Sequence, residues 1–151
     1  MMKSFTWIDL RHCRRRTADE QQRPTHYGYL SCVGAAFLLQ EMGLTPKYWL
    51  TSEQPRAVQF GRLILRTLEL ELPTRALPSL NHLRTDLGTE HYLRFIHEAE
   101  AAGASSKFRA LQTPWIRQRL FERSTVTFDE IGRWLNNNAT NNSVVLVTGH
   151  G

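Results

Sequence analysis

Two histidines and two arginines stand where strand-like runs end. Phe5-Thr6-Trp7-Ile8-Asp9-Leu10 leads to Arg11-His12, and Val144-Val145-Leu146-Val147-Thr148 leads to Gly149-His150-Gly151. A third run, Lys47 to Thr51, leads through Ser52-Glu53-Gln54-Pro55 to Arg56. In open α/β sheets ligands bind beyond the carboxyl ends of the strands. Guanidinium forks match the oxygens of a phosphoryl group in both geometry and charge. A neutral imidazole is a nucleophile at neutral pH, and a covalent adduct divides one hard displacement into two easier ones. His12, Arg11, Arg56 and His150 are therefore the candidate catalytic set: cations to hold a phosphoryl group and a nitrogen to attack it.

Those residues need elements to carry them. Phe5 to Leu10 reads as a buried strand, and Cys13 to Arg23 as a polar loop whose arginines, Arg15 among them, either face a ligand or are simply solvated. Pro24-Thr25 opens a helix in which Leu30, Val33, Phe37, Leu38 and Met42 fall at helical spacing. Gly34, Ala35 and Ala36 would let that helix approach a sheet closely, and Gly43 would stop it. Lys47 to Thr51 predicts the second strand. Pro55 suits the first turn of a helix running from Arg56 to Glu69.

Thr74 to Leu77 predicts a short strand and Gly88 to Ala102 a helix. Pro114 to Glu122 and Thr127 to Leu135 read as two further helices, the second capped by Thr127 with Glu130 three residues on. The polar run from Asn136 to Asn142 is a linker, and Ser143 to Thr148 the last strand. Alternation of strands and helices predicts one α/β domain over residues 1–151, a three-layer α/β/α sandwich. Its central sheet is expected to be mostly parallel, with the first and last strands both central.

Composition narrows the partners. The chain has 151 residues, enough for one domain with its own core, and a net charge of +5 suits an anionic ligand. There is no zinc-finger spacing and no aromatic RNA-binding signature, so nucleic acid is not the expected partner. Cys13 and Cys32 match no metal spacing and make no disulfide framework, which favours a reduced, cytoplasmic setting. The amino terminus does not read as a signal peptide, and no apolar stretch approaches membrane-spanning length.

Four segments together resemble the histidine phosphatase superfamily, which includes the phosphoglycerate mutase-like proteins. Leu10-Arg11-His12-Cys13 is similar to its Arg-His-Gly signature, with Cys13 in place of the glycine. Arg23-Pro24-Thr25-His26-Tyr27-Gly28 is similar to its Pro-Leu-Thr-x-x-Gly helix start. Thr51-Ser52-Glu53-Gln54-Pro55-Arg56-Ala57-Val58-Gln59 resembles its Ser-Ser-Pro-x-x-Arg-Ala-x-Gln-Thr segment, and Val147-Thr148-Gly149-His150-Gly151 its closing Ser/Thr-His-Gly. The resemblance implies a phosphoglycerate mutase-like fold, His12 as nucleophile, and Arg11, Arg56 and His150 around the phosphoryl oxygens. It implies no cofactor and no metal.

The implied reaction is metal-independent hydrolysis of a phosphate ester or a phosphohistidine through a phosphohistidine intermediate. The substrate would be a phosphorylated small molecule or a phosphoprotein. The alternative is a catalytically silent domain of the same fold that binds phosphate or a partner. Enzymes of this superfamily that cleave esters usually place a glutamate some two dozen residues after the second arginine. Pro78-Ser79-Leu80-Asn81-His82-Leu83 has no carboxylate there, and Glu71, Asp86 and Glu90 are the nearest. Arg15, Thr25, His82 and Asp86 are the candidate substrate-binding residues, with His82 or Asp86 able to supply a proton. The superfamily normally continues past its second histidine, so its C-terminal elements are expected to be missing after Gly151.

Overall fold

The apolar runs at Tyr48–Thr51 and Ser143–Gly149 form strands buried between helices on both sides, whereas Phe5–Arg11 is only partly buried and Thr74–Ala76 is exposed. The computed structural model describes residues 3–11, 19, 21, 23–81, 90, 93, 94, 97, 100, 101 and 114–149. Four strands, β1 (Phe5–Arg11), β2 (Tyr48–Thr51), β3 (Thr74–Ala76) and β4 (Ser143–Gly149), make one sheet in the order β1-β4-β2-β3. Every pairing among them is parallel. The last strand is inside the sheet, as expected. The first is not: among the described strands β1 is an edge, because β4 takes the place between it and β2.

Helices α1 (His26–Glu41) and α2 (Pro55–Thr67) lie on one face of the sheet, and α3 (Pro114–Asn138) on the other. Leu146 of β4 and Trp49 of β2 meet Cys32, Ala36 and Leu39 of α1 and Phe60, Ile64 and Leu65 of α2. On the opposite side Val145, Val147 and Leu50 meet Ile131 and Leu135 of α3. β4 is buried on both faces, which is why it reads as a continuous apolar run rather than an alternating one. Among the described residues no helix is long and apolar enough to cross a membrane.

Three helix readings change. Leu30, Val33, Phe37, Leu38 and Met42, placed toward the core by spacing, are all exposed. The side that packs is Gly28, Cys32, Ala36 and Leu39, and Gly34 faces outward with no described atom near it. α1 is apolar all round, so hydrophobic spacing alone could not choose its buried side. The two expected helices after Pro114 are one helix of 25 residues. Thr127 is not a cap; its hydroxyl donates to the Arg123 carbonyl at 2.9 Å, one turn back, and the helix runs through. Within the expected Gly88–Ala102 helix, residues 90, 93, 94, 97, 100 and 101 are described, and each is helical.

Candidate functional site

Parallel strands bring their carboxyl ends to one edge, and the register fixes which residues share it. Arg11, the last residue of β1, pairs with Gly149, the last of β4. Thr148 pairs with Thr51 at the end of β2, and the Ser52 N–H extends that ladder by donating to the Thr148 carbonyl at 2.9 Å. Four residues later Arg56 stands in the first turn of α2, half-buried, while Arg11 is exposed. Arg11 and Arg56 thus belong to the same edge of the sheet. His12, Cys13, Arg15, His82, Asp86 and His150 lie outside the described residues.

A buried chain of hydroxyls stiffens this edge. The Trp49 indole N–H donates to Thr148 Oγ1 at 2.8 Å. Thr148 Oγ1 donates to Thr51 Oγ1 at 2.9 Å, and Thr51 Oγ1 to the Ser52 carbonyl at 3.0 Å. Each hydroxyl gives one proton and takes one, so the buried polar atoms are satisfied in a single direction. The chain locks β4 to β2 one residue before Gly149 and at the point where β2 turns toward Arg56.

Asn81 is the residue that sequence reasoning missed. It follows a 3-10 turn, Pro78–Leu80, and is buried. Its Oδ1 accepts from Ser52 Oγ at 2.8 Å and from the Glu53 N–H at 2.9 Å. Its Nδ2 donates to Glu53 Oε1 at 3.0 Å. Ser52 Oγ in turn accepts from the Gln54 N–H at 3.1 Å. The turn that launches Arg56 is therefore clamped by a side chain 25 residues further along the chain. An asparagine after a proline-led turn is an ordinary loop signal, so nothing local singled it out.

The remaining candidates divide. Thr25 caps α1: its hydroxyl accepts from the Gly28 N–H at 3.1 Å. Arg23, from the arginine-rich loop, is held by Asp19 at 2.9 Å, and that bond keeps the Asp19 carboxyl below its usual range. His26 is exposed beside Tyr27. Glu71 precedes β3 and so lies toward the amino-terminal edge, away from Arg11 and Arg56. Desolvation raises the Asp9 carboxyl, two residues before Arg11 on the same side of β1. Among the described residues no group of three or more His, Cys, Asp or Glu could hold a metal ion.

Solved structures share this architecture. Phosphoglycerate mutase from Bacillus anthracis aligns over 97% of this chain and 75% of its own, with a TM-score of 0.64 and 17% identity. A mycobacterial glucosyl-3-phosphoglycerate phosphatase aligns over 95% of this chain and 72% of its own, at TM-score 0.54 and 18% identity. SixA from Agrobacterium tumefaciens, a phosphohistidine phosphatase candidate, aligns over 100% and 71%, at TM-score 0.50 and 16% identity. No protein-family model matches the sequence, and neither does any curated protein. At these identities the likeness is one of fold. The chain has the phosphoglycerate mutase-like α/β fold and spans 71–75% of the length of those three proteins.

Proposed function

We propose that this chain is a histidine phosphatase, hydrolysing a phosphate ester or a phosphohistidine through phospho-His12. One observation supports this above the others: Arg11 is paired with Gly149, and the next residue of each strand is a histidine. Adjacent strands lie about 4.8 Å apart, so the residues that immediately precede His12 and His150 in the chain are neighbours across the sheet. Arg56 enters the same edge from the neighbouring strand.

In the first step a ring nitrogen of His12 attacks phosphorus. The new N–P bond forms as the P–O or P–N bond to the leaving group breaks, and the leaving atom takes a proton. In the second step water attacks phosphorus, the N–P bond breaks, and inorganic phosphate leaves with the imidazole restored. Charge spreads over three equatorial oxygens in each step, and Arg11, Arg56 and His150 would hold them. His82 or Asp86 would protonate an alkoxide, with Arg15 and Thr25 on the substrate side. A phosphohistidine substrate asks less of that acid, because an imidazole nitrogen leaves more easily than an alkoxide. This scheme runs on guanidinium and imidazole groups, without a metal ion or cofactor. A single domain in a reducing, cytoplasmic compartment completes the reading.

The test is covalent labelling. With phosphoramidate as donor, phosphorus NMR and mass spectrometry of the quenched protein should find an acid-labile, alkali-stable phosphohistidine. His12→Ala should lose it, and Arg56→Ala should lower turnover by about 100-fold or more, the usual effect of removing one oxyanion partner. No label and no turnover, with inorganic phosphate still bound, would overturn the enzyme in favour of a phosphate-binding domain.

A further inference from the structure

The outward face of α1 is an apolar stripe that the sheet does not use. Leu30 is 58% exposed, Phe37 56%, Leu38 59% and Tyr27 74%. All lie on the side opposite Cys32 and Ala36, which are fully buried. Glu41 is the single Asp, Glu, Lys or Arg in the helix. Contiguous exposed apolar surface of this kind marks an interaction face.

The stripe has a second property that selects its occupant. Gly34 sits at its middle, and no described atom comes within 4 Å of where its Cβ would be. Glycine inside a helix lowers its stability, and a helix surface commonly keeps one where another backbone must approach closely. About Gly34 the stripe is nearly symmetric: Leu30 lies four residues before it and Leu38 four after. A two-fold interface requires a surface that is complementary to itself. Charge agrees. Glu41 ends α1, where a carboxylate opposes the helix's own dipole. In an antiparallel pair it lies instead beside the partner's His26 and the positive end of the partner helix.

We propose that two copies of this chain associate through antiparallel packing of α1 on α1 across Gly34. Leu38 of each copy packs on the partner's Leu30, and Glu41 approaches the partner's Tyr27 and His26. One helix per copy makes an interface at the low end of stable sizes, about 1,200 Å2 in total, so the association belongs to micromolar concentrations.

Sedimentation equilibrium of the full chain tests this. The mass should rise with concentration from 17.5 kDa toward twice that value. Leu30→Lys combined with Leu38→Lys should hold the protein at the monomer mass with unchanged helical circular dichroism, since both side chains are exposed. Leu30→Glu with Leu38→Glu should do the same. Mixing the two double variants should restore a dimer, because each introduced lysine then faces an introduced glutamate. Leu30→Lys mixed with Leu38→Glu should pair better than Leu30→Lys mixed with Leu30→Glu, since only the antiparallel arrangement sets residue 30 against residue 38. A wild-type monomer at all concentrations, a dimer that survives the lysine pair, or a mixture that stays monomeric would each overturn the proposal.

Discussion

α1 and α2 cover the same face of the same sheet, yet they are held by different means. α2 has one apolar side, with Phe60, Gly61 and Ile64 inside and Arg62 and Arg66 outside. α1 is apolar on every side and buries Gly28, Cys32, Ala36 and Leu39. Each contains a glycine whose surroundings are opposite. A Cβ on Gly61 would overlap the Trp49 indole, whereas no described atom lies within 4 Å of where one on Gly34 would be. Their first turns differ as well. α1 is capped by the hydroxyl of its own Thr25, while the N-cap of α2, Gln54, makes no side-chain cap bond. The start of α2 is secured instead from Asn81. The first turn of α2 is thus secured by a long-range contact, and that of α1 by a local one.

The sharpest way to break this contrast is Gly61→Ala. Trp49 is buried and its N–H is committed to Thr148, so the ring cannot step aside. The change should lower stability by about 3 kcal/mol, the upper range for overpacking, read as a shift in the urea midpoint. Gly34→Ala, made in the lysine-pair background to remove association, should instead raise stability by about 1 kcal/mol, the gain expected for glycine replaced inside a helix. If both changes destabilise alike, the assigned rotation of α1 is wrong.

Asn81→Ala comes next, at about 2 kcal/mol, because buried partners on Ser52 and Glu53 lose their bonds. A double-mutant cycle with Ser52→Ala should give a coupling of about 1 kcal/mol; additive losses would show that the clamp does not act as a unit. Thr25→Ala should cost less, about 1 kcal/mol, as a single helix cap does. That loss should not couple to Ser52.

The smallest effects lie at the helix ends. Both helices close with the same pair of turns: the Gly43 and Leu44 N–H groups return to Gln40 and Leu39, and those of Glu69 and Leu70 to Arg66 and Leu65. The residue in the left-handed region is Gly43 in α1, at φ 68°, but Glu69 in α2, at φ 55°. Glu69→Gly should therefore gain about 0.5 kcal/mol in thermal or urea unfolding, relieving strain at some cost in chain entropy. A loss there would mean that the Glu69 side chain contributes a contact that outweighs its backbone.

Much of the fold was legible because its signals are local. The apolar runs at Phe5, Lys47 and Ser143, Pro55 in a first helical turn and Gly43 after a last one all predicted their elements correctly. Of the site, the grouping of Arg11 and Arg56 on one sheet edge was also readable, since parallel strands share their carboxyl ends. Thr127 misled because serine and threonine serve both as caps and as helix residues that bond back one turn. Asn81 was invisible because its partners are distant in the chain.

From the residues alone came the alternation of strand and helix, the helix stops, and the placing of Arg11 and Arg56 at the carboxyl-terminal edge of the sheet. Each depends on neighbours within a few positions, where backbone geometry and spacing decide. Tertiary structure alone chose the place of β4 between β1 and β2, the buried side of α1, and Asn81 as the clamp on the Arg56 turn. Those choices depend on which surfaces meet across the chain, and an all-apolar helix or a lone asparagine carries no periodicity that could announce its partner.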